Sequence, residues 1–194
     1  MRRRPSTARL RTIPSPPPHI DGCRRYLSET GWNAVAGMQV RCFPVPHDAT
    51  QTVGFLISAD GYRFFIMTDA GRVTEEALSL AAQADTVVME SNYDVDMLMG
   101  GPYPHELKMR ICQGNGHLSN EECAAALRQC CHPGLRHVFL CHLSENNNTP
   151  TLAYRAAAEA LAAVGAAGSV HLLALPRQTP SPLFILQETD GPDR

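Results

Sequence analysis

The sequence predicts an α/β domain, and three observations carry that prediction. Short runs rich in β-branched and aromatic residues open the ordered part of the chain and read as strands. Single amphipathic stretches of helical period then alternate with further apolar runs, the pattern of a sheet packed against helices. The 194 residues, 44% of them hydrophobic, suffice for one hydrophobic core and are short for two.

"VRCFPV" (40–45), "TVGFLIS" (52–58) and "YRFFIMT" (62–68) are the opening strands, with Asp60-Gly61 as the hairpin turn between the last two. "VTEEALSLAAQ" starts a helix with Thr74 at the N-cap and glutamates in the first turn, and "TVVME" (86–90) returns to strand. Short helices are expected over 93–98 and 104–112 around the "GGPYP" turn. "SNEECAAALRQCC" is a further helix, with Ser119 and Glu122 spaced as a capping box. "HVFLC" is a strand, and "TPTLAYRAAAEALAAVG" is an Ala- and Leu-rich helix closed by Gly165. "VHLLAL" (170–175) and "PLFILQE" (182–188) are expected as the closing strands.

A net charge of −2 and 19% charged residues exclude a strongly basic nucleic-acid binder by composition, though a local patch is enough to meet phosphates. No apolar stretch approaches a membrane span, so no membrane association is expected. The seven cysteines are odd in number and unpatterned, which suits a reducing cytoplasm and leaves no C-x-x-C zinc motif. "MRRRPSTARLRT" carries five arginines without an acid and is followed by "IPSPPPH". Residues 1–38 are therefore set apart as an Arg/Pro-rich segment, poorly ordered or a remnant, and 39–190 as the domain proper.

Three positions share one context, just past an apolar strand: His47-Asp48 after "CFPVP", Asp69 after "FFIMT" and His142 after "VFLC". Functional groups gather at strand ends along one edge of an α/β sheet. An Asp before Ala-Gly is also an ordinary turn residue, and a single His after a strand an ordinary structural side chain. Together, imidazoles and a carboxylate are the donors that catalytic zinc or manganese sites use. Ser144, Asn146 and Asn147 add polar neighbours for a ligand or a phosphate. On residue chemistry alone both readings stand. No G-x-S-x-G elbow and no Walker A loop is present, which removes serine-hydrolase and P-loop chemistry.

The phrases "HDA", "GFLI", "TDAG", "ESNYD", "LMGGPYPHELKMRI", "GHLSN" and "VFLCHLSENNNTP", in that order, resemble the second half of metallo-β-lactamase-fold hydrolases of the WalJ or YycJ type. The resemblance implies an αββα sandwich that binds two divalent ions, zinc or manganese, and hydrolyses phosphodiester bonds, with nucleases acting from a DNA end among its members. Carried over by position, it implies His47 on the first metal, Asp69 bridging both and His142 on the second, with Asp69 and His142 central to catalysis. It places His117, Ser119, Asn120, Ser144, Asn146 and Asn147 at substrate phosphate or just behind the metals, and Glu90 and Asn92 at the rim.

One departure is large. The family's H-x-H-x-D-H motif, which contributes ligands to both metals, is absent, and His19 with Asp21 cannot replace it. The expectation is therefore the second half of the fold, from a chain that starts just downstream of the motif, with weak or incomplete metal binding and little activity. A complementing chain or a second copy could restore the missing ligands. The alternative is a non-catalytic module that holds nucleic acid without cutting it.

Overall fold

The computed structural model describes residues 26–184. They form one mixed sheet of seven strands whose spatial order follows the chain: β1 (Asn33–Val35), β2 (Met38–Pro44), β3 (Val53–Ala59), β4 (Tyr62–Met67), β5 (Thr86–Glu90), β6 (His137–Cys141) and β7 (His171–Ala174). β1 to β4 are antiparallel neighbours, and β4 to β7 run parallel. The switch follows from the connections, because tight turns join antiparallel strands and a helix is needed to return a parallel one. The helices are α1 (Glu75–Ala81), α2 (Val95–Gly100), α3 (His105–Cys112), α4 (Asn120–Cys130) and α5 (Pro150–Ala163).

Local chemistry sets the boundaries. Asp60 and Gly61 both have positive φ, the geometry a two-residue hairpin turn requires. Thr74 accepts the Ala77 amide (3.1 Å) to start α1, and Ser119 and Glu122 form the reciprocal capping box of α4. Asp94 caps α2 by accepting the Met97 amide (2.9 Å), so that helix starts two residues later than its apolar pattern implies. β1 is a departure, falling in the stretch set apart as irregular. Ala36 and Gly37 both adopt positive φ and turn the chain back, so that Asn33–Val35 pairs with Met38–Val40. Of the strand expected over 182–188, residues 182–184 are described and lie outside any strand. Its remainder, like the arginine-rich residues 1–25, lies outside the described residues.

Period-two alternation gives the sheet two distinct faces. Leu56, Phe65, Met67, Val87, Met89, Val138 and Leu140 point to one side and are buried with Leu80 of α1, Cys123 and Leu127 of α4, and Ala153 and Ala157 of α5. Phe55, Ile57, Phe64 and Ile66 point to the other side and are only half-buried. Among the described residues there is one sheet, where the αββα sandwich has two. Because β4, β5 and β6 are parallel, their C-terminal ends share one edge. Asp69, Glu90 and His142 lie there, as doubly wound sheets arrange their functional groups.

Candidate metal centre

The site is built on three strand ends and two loops. Asp69 and His142 follow β4 and β6 with φ of +52° and +55°, a conformation that side-chain-bearing residues adopt at a cost and that concentrates at functional sites. The left-handed turn aims each side chain off the end of its strand into a common cleft of about 470 Å³. Asp69 Oδ1 lies 3.9 Å from His47 Nε2 and 3.8 Å from His142 Nε2, placing the carboxylate between the two imidazoles.

Glu90, the last residue of β5, is fully buried and binds the site together from below. Its Oε1 accepts hydrogen bonds from His142 Nδ1 (2.6 Å) and His117 Nδ1 (2.7 Å), and its Oε2 accepts the Ala70 amide (2.7 Å). Burial pushes this carboxyl up, and the two imidazoles and the amide outweigh that effect and hold it below the usual carboxylate value. The hydrogen bond to Glu90, aided by nearby Asp69, raises His142 against the opposing effect of burial. His47 Nδ1 meets the Gly116 carbonyl at 2.8 Å. A carboxylate or carbonyl can only accept, so all three imidazoles carry a proton on Nδ1 and turn Nε2 to the cleft. Metal-ligating histidines are oriented in this way.

The loops come close because two glycines permit it. A Cβ on Gly71 would stand 2.4 Å from the Asn115 backbone, and one on Gly116 would stand 2.1 Å from the Ile111 carbonyl oxygen. Gly71 also donates to the Pro46 carbonyl (2.8 Å), tying the Asp69 turn to the His47 loop. His47, Asp69 and His117 each offer a donor atom within 4.8 Å of the others, as do Glu90, His117 and His142.

His47, Asp69, His117, His142, Asn92, Ser144 and Asn147 all border the cleft. Other expected positions are placed differently. Glu90 is beneath the cleft and not on its rim, because its carboxylate is enclosed by the donors it serves. Ser119 is consumed by the α4 cap. Asn120 is buried in a closed network with Ser91 and Asn148. Neither Ser119 nor Asn120 borders the cleft, which leaves both of them behind it. Asn92 donates to the His142 carbonyl (2.7 Å) and pins that turn. Asn146 donates to the Tyr103 hydroxyl (3.0 Å). Asn147 is 2% exposed, and its Oδ1 is the one buried side-chain oxygen or nitrogen without a hydrogen-bond partner among the described residues.

Tyr103, Leu107, Arg110 and Ile111 also line the cleft and are additions to the sequence reading. Leu107, Arg110 and Ile111, spaced i, i+3 and i+4, share one face of α3, and Tyr103 precedes that helix in the turn before it. Arg110 pairs with Asp48, and that hydrogen bond holds the Asp48 carboxyl below its ordinary value. Arg177 donates to the Leu143 carbonyl (2.9 Å) and sits 3.4 Å from Glu145.

Residues 17–143 match the family described as the beta-lactamase superfamily domain. The chain belongs to that superfamily. Within it, the chain is 32% identical over 136 residues to "Exodeoxyribonuclease WalJ" of Streptococcus pneumoniae serotype 2 (70% of this chain, 51% of the relative). It is 33% identical over 138 residues to "Exodeoxyribonuclease YycJ" of Bacillus anthracis (69% and 52%). The resemblance read from the motifs is borne out. The metallo-β-lactamase-fold protein YhfI of Bacillus subtilis superposes with a TM-score of 0.56 at 12% identity, over 77% of this chain and 51% of that one, and supports the same fold. This superfamily chain spans about half the length of the relatives it matches. No helix among its described residues is long and apolar enough to cross a membrane.

Proposed function

We propose that this chain carries part of a metal-dependent phosphodiesterase centre of the nuclease kind, with DNA as its substrate. One observation carries the reading. Three imidazoles, each with Nδ1 already engaged, turn Nε2 toward a cleft that also holds the Asp69 carboxylate.

The donors fit divalent ions. Two ligand atoms on one tetrahedral zinc stand about 3.4 Å apart, so the 3.8 and 3.9 Å separations around Asp69 Oδ1 need only a small contraction. His47, Asp69 and His142 are the proposed ligands, with Asp69 shared. Bound there, the ions would lower the pKa of a water and neutralise charge on the phosphate oxygens. Glu90 orients His117 and His142, and the His117 Nε2 meets the substrate phosphate. Asn147, with its unpaired Oδ1, and Ser144 complete the surroundings.

The donor count sets a limit. With H-x-H-x-D-H absent from the 194 residues, each of two ions would keep two protein ligands from this chain, one fewer than catalytic zinc ordinarily has. Weak binding by these residues alone goes with that count, and the further ligands would come from polypeptide outside them. The half-buried apolar residues Phe55, Ile57, Phe64 and Ile66 support the sheet face opposite the helices as its seat.

The test is binding of 5′-phosphorylated DNA with and without manganese or zinc. Metal-dependent binding that disappears in both Asp69→Ala and His117→Ala is the expected result. Equal binding by the variants, or indifference to chelation, would contradict the reading.

A further inference from the structure

The cleft has a second wall whose chemistry differs from its floor. The floor is polar, made by His47, Asp69, His117 and His142. The wall is Tyr103 with Leu107 and Ile111 of α3. Tyr103 is tied to the His142 loop, and the turn before it is tied to α3. Its hydroxyl accepts from Asn146 Nδ2 at 3.0 Å, on the loop that also carries His142. Lys108 Nζ donates to the carbonyls of Met99 (2.7 Å) and Gly101 (2.8 Å) and closes the turn before Tyr103 onto α3. Gly101 is itself pressed on the Met97 carbonyl, where a Cβ would approach to 2.7 Å. No other aromatic ring packs on Tyr103 among the described residues.

A phosphate on the floor leaves its sugar and base to be placed within the same cleft, whose volume of about 470 Å³ suits a small ligand. A fixed aromatic ring flanked by aliphatic side chains is the surface on which bases stack without regard to sequence. Resting on the phosphodiesterase reading, we infer that the Tyr103 wall stacks the base of the nucleotide whose phosphate occupies the floor. The ligand is thus a whole nucleotide unit with its base unpaired, and Tyr103 is a specificity-determining residue that discriminates nucleotides from other phosphate esters.

The experiment is calorimetric titration of the chain, in excess manganese, with dAMP, dTMP, deoxyribose 5-phosphate and deoxyadenosine. Both nucleotides are expected to bind about 10-fold more tightly than deoxyribose 5-phosphate, within the range that stacking one base provides. Tyr103→Ala is expected to bind dAMP and deoxyribose 5-phosphate alike, while Tyr103→Phe keeps the preference. A merely structural role for Tyr103 would weaken all ligands together and leave the ratio intact. Equal affinities in the wild type, or a preference that survives Tyr103→Ala, would overturn the inference and leave the phosphate reading standing. Deoxyadenosine binding as tightly as dAMP, or no binding by any ligand, would overturn the phosphate reading and the stacking inference together.

Discussion

β6 has a histidine at each end, and the two behave oppositely. His137, at the start, meets the hydroxyls of Tyr62 (3.1 Å) and Thr86 (3.4 Å), and burial, with the charges of His171 and Arg136, holds its imidazole below the ordinary value. His142, just past the end, donates to the buried carboxylate of Glu90 and is raised. Burial lowers both imidazoles, and only at His142 does a carboxylate partner reverse the sign. The start of β4–β6 is a neutral, self-satisfied cluster of Tyr62, Thr86 and His137. The end of the same strands holds a buried carboxylate and two residues in left-handed backbone, with three imidazoles bordering an open cleft. Such costs concentrate at functional sites, and here they gather on the edge proposed as the metal centre.

The largest effect expected from breaking this contrast is at Glu90. Glu90→Gln removes the charge that orients His117 and His142, and metal affinity by calorimetry should fall about 10- to 100-fold. The melting transition should lose about 1–3 kcal/mol as one buried donor is left without an acceptor. His137→Phe, at the opposite end, should leave metal affinity unchanged. If the two substitutions affect the metal equally, the contrast is wrong.

A smaller effect separates strain from function. Asp69→Gly relaxes a φ of +52° and should abolish metal binding while stability is unchanged or rises by up to about 1 kcal/mol. Asp60→Gly, in the β3–β4 turn at φ +49°, should do the same to stability and nothing to the metal. Chemical denaturation with parallel metal titrations reads both, and a stability loss at Asp69→Gly would show that its backbone is not strained.

The smallest effect is in pH dependence. A histidine held below its unfolded value favours the neutral form in the fold, so its contribution is complete above about pH 6.5 and is lost as pH falls through the lower folded value. Wild type should therefore lose stability on acidification below that point, and His137→Phe should lose less. Identical melting profiles for the two between pH 7.5 and 5 would remove this account of the neutral cluster.

Much of this was legible in the sequence, and the gaps have physical causes. Thr74, Ser119 with Glu122, and Asp60-Gly61 act locally, over the few residues their signals span. His47, Asp69 and His142 were visible because each directly follows an apolar run. The place of Glu90 was not, because its partners lie 27 and 52 residues away and only the parallel register of β5 with β6 brings them together. Ser119 and Asn120 carry polar groups that the cap and the buried Asn148 network satisfy, which one-dimensional spacing cannot distinguish from a phosphate contact. β1 was missed because three residues beside a turn carry no period to detect.

The most direct measurement is calorimetric titration of zinc into the chain and into Asp69→Ala and His137→Phe. Saturable binding is expected in the wild type and in His137→Phe, and none in Asp69→Ala. Binding that survives Asp69→Ala, or is absent from the wild type, would contradict the claim that this strand edge is a metal centre.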